Sequence, residues 1–189
     1  MRSSYKENCY GNLLSSLVEI YKPSVIHDFG VLDGYSSINF VNGMNNIDKD
    51  CKIILIDLFE DYEHKSSTES DVSHRVNFKA EENVTVDIIR GDVFSDKILS
   101  LFEDNSMEFI HIDLSNDGYK LKKFFELYSI KMKKKCNILL EGGSSERDDV
   151  NWMSKYNKQP IHEFLDNLSS YEKFTFEPFP SLTIMKKYA

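Results

Sequence analysis

The 189-residue chain contains no uninterrupted apolar run near the ~20 residues of a membrane span, so no membrane partner is expected. Cysteine is scarce. Cys9, Cys51 and Cys136 are odd in number, widely spaced and without a C-x-x-C pair. That excludes a disulfide framework and a thiolate zinc site, and reads as free thiols in a reducing, cytoplasmic compartment. Positive charge is also short: 23 Lys and Arg stand against 31 Asp and Glu, a formal net charge of −8. Nucleic acid is therefore not expected as a partner, because phosphate binding needs clustered Lys and Arg. The one basic run, Lys131 to Lys135, reads as a solvated helix end, where cations suit the negative dipole. The opening "MRSSYKENCYGNLL" has no apolar stretch before a small-residue cleavage site, so no signal peptide is expected. Repeats, low-complexity tracts and linkers are lacking too. What is present, 41% hydrophobic and 13% aromatic residues, argues against disorder. The length fits a single domain over residues 1–189.

Strand-like and helix-like segments alternate. Leu13, Leu14, Leu17, Val18 and Tyr21 fall at helical spacing, with Pro23 closing the helix. "SVIHDFG" is a short strand, and a helix is expected to open near Ser36, a capping residue type. "CKIILIDLF" reads as a strand covered on both faces. The polar stretch 60–83 has no clear period and is expected to be a lid, a mobile loop or an irregular helix. "VTVDIIRGD", "MEFIHIDLS" and "CNILLEGG" are further strands, with a short helix at "ILSLF" and an amphipathic one on Leu121, Phe124, Phe125 and Tyr128. Ile161, Phe164, Leu165 and Leu168 mark a last helix. The tail breaks the alternation, with two strand-like runs joined at Pro178 and Pro180 as a hairpin. This order predicts an α/β fold with an open, mostly parallel sheet and helices on both faces. Ligands of such sheets bind beyond the carboxyl ends of the strands.

Those ends carry acids: Asp28, Asp57, Asp92, Asp113 and Glu141. Asp and Glu are poor strand residues, so five in succession point to a polar site, although any one of them can simply cap the next helix or turn. Gly30 and Gly34 in "DFGVLDGYSS" permit a sharp turn and close approach of a ligand. The spacing is not G-x-G-x-x-G, which counts against a dinucleotide loop. Asp57 is placed to accept ribose hydroxyls, and Asp92 with its apolar flank suits an adenine.

The ordered set "DFGVLDGYSS", "IILIDLF", "IIRGDVF", "FIHIDLSNDGY", "ILLEGG" and "PSLTIMKK" resembles the class I S-adenosylmethionine-dependent methyltransferases, nearest the group acting on sugars and other small molecules. The resemblance implies a Rossmann-like, doubly wound sheet of seven strands with the last antiparallel. It also implies that Asp28 and Gly30 line the methionine part of S-adenosylmethionine, with Gly34 and Ser36 near its carboxylate. Asp57 would bind the ribose, Asp92 and Val93 the adenine, and Asp113 would lie beside the transferred methyl. The implied reaction is methyl transfer to an oxygen, or secondarily a nitrogen, of a small-molecule acceptor such as a sugar or sugar nucleotide. A homodimer is left open.

The catalytic half departs from the pattern. "DLSNDGY" has Asn116 and Asp117 where related enzymes carry a His, and Glu141 is followed by Gly142 and Gly143 in place of Asp or Asn. A hydroxyl acceptor needs a base or a metal. The candidate catalytic residues are Asp113, Asp117 and Glu141. Asp113 and Glu141 could instead share a divalent metal held by oxygen ligands; a metal-independent enzyme with Asp117 or Asp113 as base is the preferred expectation. His27 and His111 read as core residues, whereas His64, His74 and His162 are secondary candidates. Trp152, Met153 and Tyr156 read as a packed loop on the substrate side, and residues 60–83 and 144–160 as the acceptor-holding segments. Two other readings stay open: another nucleotide-dependent enzyme such as an NAD oxidoreductase, and a non-catalytic module that kept the cofactor fold.

Overall fold

In a computed structural model that describes residues 1–63 and 67–188, each apolar run becomes a strand. The seven strands lie in the order β3-β2-β1-β4-β5-β7-β6, the last strand, β7, being the reversed one. This is the expected Rossmann-like α/β arrangement. The chain falls into two compact units, Met1–Val93 and Phe94–Ala189.

In the first unit, β1 (Val25–Phe29), β2 (Cys51–Asp57) and β3 (Val84–Arg90) pair in parallel. Ile26, Phe29, Ile53, Leu55 and Ile56 are fully buried, as continuous apolar strands require. Helix α1 (Tyr10–Tyr21) starts three residues before the periodic Leu13 and packs on α2 (Tyr35–Asn45). The two backbones approach closely at Gly43, where an added Cβ would sit 2.5 Å from the Ser15 carbonyl oxygen. Helix α2 opens one residue before Ser36, on Gly34 at φ 86°, and no side chain caps it. Ser36 therefore does not cap; its hydroxyl turns inward to Asp28. The polar stretch 60–83 holds a regular helix, α3 (Glu69–Asn77), capped by the Thr68 hydroxyl and anchored by buried Val72 and Val76 one turn apart.

In the second unit, α4 (Asp96–Leu99) precedes β4 (Met107–Ile112), and α5 (Gly118–Tyr128) precedes β5 (Met132–Glu141). β4 and β5 are parallel, whereas β7 (Leu182–Lys187) runs antiparallel to both β5 and β6 (Tyr171–Phe176). The tail is thus the expected hairpin. The basic run is not a helix end: Met132 to Lys135 open β5. Between Met107 and Phe109 the pairing shifts, β5 advancing five residues while β4 advances two, with Lys135 at φ 64°. Lys131 and Lys133 pair with Asp104 and Glu108. The 144–160 segment is not a plain loop either. It forms two short helices, α6 (Ser145–Asp148) and α7 (Asn151–Lys155), ahead of α8 (Ile161–Asp166). Phe124 stacks on Tyr128 at 4.5 Å and Phe125 meets Tyr171 edge-on at 5.4 Å. Of the free thiols, Cys51 and Cys136 are buried and Cys9 is exposed; burial pushes the Cys136 pKa up to about 12.

The α1–α2 contact gives a test. Backbone cannot yield as a side-chain tip can, so Gly43→Ala should destabilise the protein by about 1–3 kcal/mol. Urea unfolding of the variant against the parent chain measures it.

Candidate functional site

In the first unit the three strand exits are stitched together by main chain. The Gly30 N–H donates to the Ile56 carbonyl at 3.0 Å, and the Gly91 N–H to the Asp57 carbonyl at 2.9 Å. Gly30 sits at φ 87° and Gly34 at φ 86°, the left-handed region that glycine occupies without steric cost. Between them Leu32 takes φ 52° despite its side chain. The Asp57 carboxylate holds this turn: Oδ2 accepts the N–H groups of Val31 at 2.5 Å and Leu32 at 2.9 Å, and Oδ1 accepts that of Phe59 at 2.9 Å. A carboxylate offers about four lone-pair sites. Three are used by the chain, leaving Asp57 room for one further donor rather than two.

Asp28, fully buried, accepts the hydroxyls of Ser36 at 3.0 Å and Ser37 at 2.6 Å on one oxygen, tying β1 to the first turn of α2. Asp92 is exposed and Val93 buried, just beyond the end of β3. A residue absent from the sequence reading, Asp33, is the most heavily bonded acid of the loop. Arg2 grips it through Nε at 3.1 Å, Nη2 at 2.8 Å and its own N–H at 2.7 Å. The Ser67 hydroxyl donates to Asp33 Oδ1, and Arg75 donates to both the Asp33 carbonyl and Ser67 Oγ. Its only sequence signal is an acid between Leu32 and Gly34, in a loop otherwise apolar or glycine. His74 is exposed on α3, lining a surface recess of about 570 Å³ with Glu60, Glu69, Ser70 and Ser73. His64 lies outside the described residues.

In the second unit the register Ile112↔Leu140 brings Asp113 and Glu141 to the same level at the carboxyl ends of β4 and β5. No group of three His, Cys, Asp or Glu side chains able to hold a metal occurs among the described residues. Asp117 is spent locally: its carboxylate caps α5 at the Tyr119 N–H, accepts from the Gln159 N–H and pairs with Lys158 at 3.4 Å. His27 and His111 are both buried.

The segment after β5 brings in Arg147 and Asp148, which the sequence reading passes over, beside Trp152, Met153 and His162, which it names. Arg147, 6% exposed, lies between the rings of Trp152 and Phe179, at 4.9 and 5.2 Å from their centroids. Its Nη2 is 3.8 Å from Glu141. Asp148 is buried, and one of its oxygens accepts the backbone N–H of His162 at 2.8 Å and also meets its ring Nδ1 at 2.7 Å. Met153, in α7, is buried, with its sulfur against Asn116 Nδ2 at 3.2 Å.

No protein-family model matches the chain, and no curated protein matches its sequence. Solved structures do match, and their fold is this one. The S-adenosylhomocysteine-bound methyltransferase of Podospora anserina superposes with a TM-score of 0.68 at 15% identity, over 100% of this chain and 80% of its own. The O-methyltransferase of tomaymycin synthesis from Streptomyces achromogenes, solved with S-adenosylmethionine, gives 0.67 at 13%, over 98% and 86%. An O-methyltransferase of Bacillus cereus in complex with S-adenosylhomocysteine gives 0.67 at 15%, over 95% and 80%. The class the fold defines is thus the Rossmann-like methyltransferase fold.

The grip of Arg2 holds the Asp33 carboxyl well below the usual carboxylate range. A depressed folded-state value contributes stability that is present above the unfolded carboxyl's value and lost as pH falls toward the folded one. The stability gap between the parent chain and Arg2→Ala should therefore stay constant from pH 8 to about 5 and narrow below about 4. Denaturant midpoints across that range check it.

Proposed function

We propose that the chain is an S-adenosylmethionine-dependent methyltransferase acting on an oxygen of a small molecule. The observation that carries this is the strand order with its reversed last strand, shared over nearly the whole chain with methyltransferases solved with S-adenosylmethionine or S-adenosylhomocysteine. The glycine turn supports it independently. It presents strained backbone at a strand exit, with an acid that keeps one lone-pair site in hand for a ribose hydroxyl.

The bound sulfonium supplies the electrophile, and the protein's task is to align the acceptor and take its proton. On this reading Gly30, Gly34 and their loop hold the methionine end of the cofactor, and Asp57 the ribose. Asp92 and Val93 hold the adenine. Asp28 and Ser36 act one layer back, fixing the loop to α2, since Asp28 is closed to solvent. Asp113 and Glu141 border the acceptor at the ends of β4 and β5. A sugar or sugar nucleotide is the acceptor class that the sequence resemblance implies. Asp117 is already engaged as a cap and in an ion pair, which counts against it as the base.

Removing Asp57 deletes a charge-assisted contact of ~1.5–3 kcal/mol, roughly ten- to hundredfold in affinity. Calorimetry with S-adenosylhomocysteine on the parent chain and Asp57→Ala should show that loss. Unchanged affinity in a folded variant would remove Asp57 from the cofactor site, and no binding by the parent chain would remove the whole reading.

A further inference from the structure

We propose that His162, oriented by Asp148, is the group that takes the proton from the acceptor hydroxyl; this rests on the methyl-transfer reading above. The pair has the parts of a general base. The Asp148 side chain is 1% exposed, and its Oδ2 lies 2.7 Å from His162 Nδ1. An ionised carboxylate only accepts hydrogen bonds, so Nδ1 must carry the hydrogen and Nε2 of the neutral ring is left with its lone pair bare. That nitrogen has no hydrogen-bond partner among the described residues, and the imidazole is 36% exposed, so it is open to a ligand and to solvent.

The ring is held by more than one bond. The same Asp148 oxygen accepts the His162 backbone N–H at 2.8 Å, which fixes the first turn of α8, whose own cap position is Pro160 and offers no side-chain acceptor. The head of α8 in turn lies against the exit of β5. A Cβ placed on Gly142 would meet Ile161 Cδ1 at 3.3 Å and would collide with Asn116 Oδ1, which is buried and has no hydrogen-bond partner among the described residues. His162 thus follows directly on the residue, Ile161, that meets the β5 exit, where Glu141 ends its strand. Among the carboxylates there, Asp117 is engaged by Lys158 and two backbone N–H groups, and Glu141 faces Arg147. The neutral imidazole offers a lone pair that no described residue takes up.

In the proposed step the acceptor O–H bond breaks and its proton passes to His162 Nε2. The oxygen lone pair forms the new O–CH3 bond as the S–CH3 bond of the sulfonium breaks, its electron pair remaining on sulfur. The imidazolium, stabilised by Asp148, returns the proton to water at its exposed edge. Asp148 is a positioning residue whose two bonds to His162 fall on one oxygen, and Asp148→Ala removes both. With no acceptor at the Oδ2 position, nothing holds the hydrogen on Nδ1, so the tautomer is no longer fixed.

Two measurements on the full chain test this. The ¹⁵N spectrum of the neutral His162 ring should show Nδ1 protonated and Nε2 bare, with Asp148→Ala losing that preference; an Nε2-protonated ring in the parent chain overturns the proposal. In methyl-transfer assays with S-adenosylmethionine and a probe panel of catechol, glucose and UDP-glucose, His162→Ala should lower kcat by about 10²–10⁴. KM and S-adenosylhomocysteine affinity should hold within a few-fold, and added imidazole should restore part of the rate. A His162→Ala chain that keeps the parent kcat overturns this inference and leaves methyl transfer standing. A parent chain that binds no S-adenosylhomocysteine, or methylates none of the panel, overturns both.

Discussion

The Asp57 carboxylate, receiving three backbone N–H groups at the end of β2, is the contact on which the first unit depends. Each such bond to a charged acceptor contributes about 1.5–3 kcal/mol, comparable to the ~1–3 kcal/mol that a left-handed non-glycine residue such as Leu32 costs. The turn after β1 is therefore held in shape by an acid on the neighbouring strand rather than by its own sequence. Asp28 does the matching task on the other side, joining β1 to α2 through two serine hydroxyls. Asp57 and Asp28 support the fold first, and whatever they offer a ligand is the remainder.

That division explains what can be read from the residues alone. Strands announce themselves because continuous apolar runs have one physical destination, the interior of a parallel sheet, and the proline-joined tail has to turn back. Helix α3 hides because only Val72 and Val76 face inward, too few to set a period against a polar background. The lysine run misleads for the opposite reason. Its residues are polar enough for a helix end, yet β5 reaches back through them by a bulge that no local pattern shows. Ser36 is a cap by type, but Gly34 opens the helix and the hydroxyl is needed by Asp28.

The acids of the site are legible as a set, since charge at the end of an apolar run is conspicuous. Their tasks are not. Asp117 carries the same chemistry on paper as Asp113, and only the folded α5 shows it consumed as a cap. Asp148 and His162 are fourteen residues apart, Asp148 in a segment read as holding the acceptor and His162 at the head of the last helix. Their pairing exists because α6 and α8 fold back on one another, a tertiary fact with no local signature. The network around Asp33 in the first unit has the same origin: Arg2 grips its carboxylate and Arg75 supports its carbonyl, and both partners are distant in sequence.

If the cofactor binds at the glycine turn held by Asp57, the main chain of that turn must report it. Amide hydrogen exchange at Val31 and Leu32, measured with and without S-adenosylhomocysteine, tests this most directly. Exchange at both amides is predicted to slow on binding, because a ligand packed over the turn shields them and holds them on the Asp57 carboxylate. Exchange that is unchanged at these amides while the ligand binds elsewhere in the chain would contradict it.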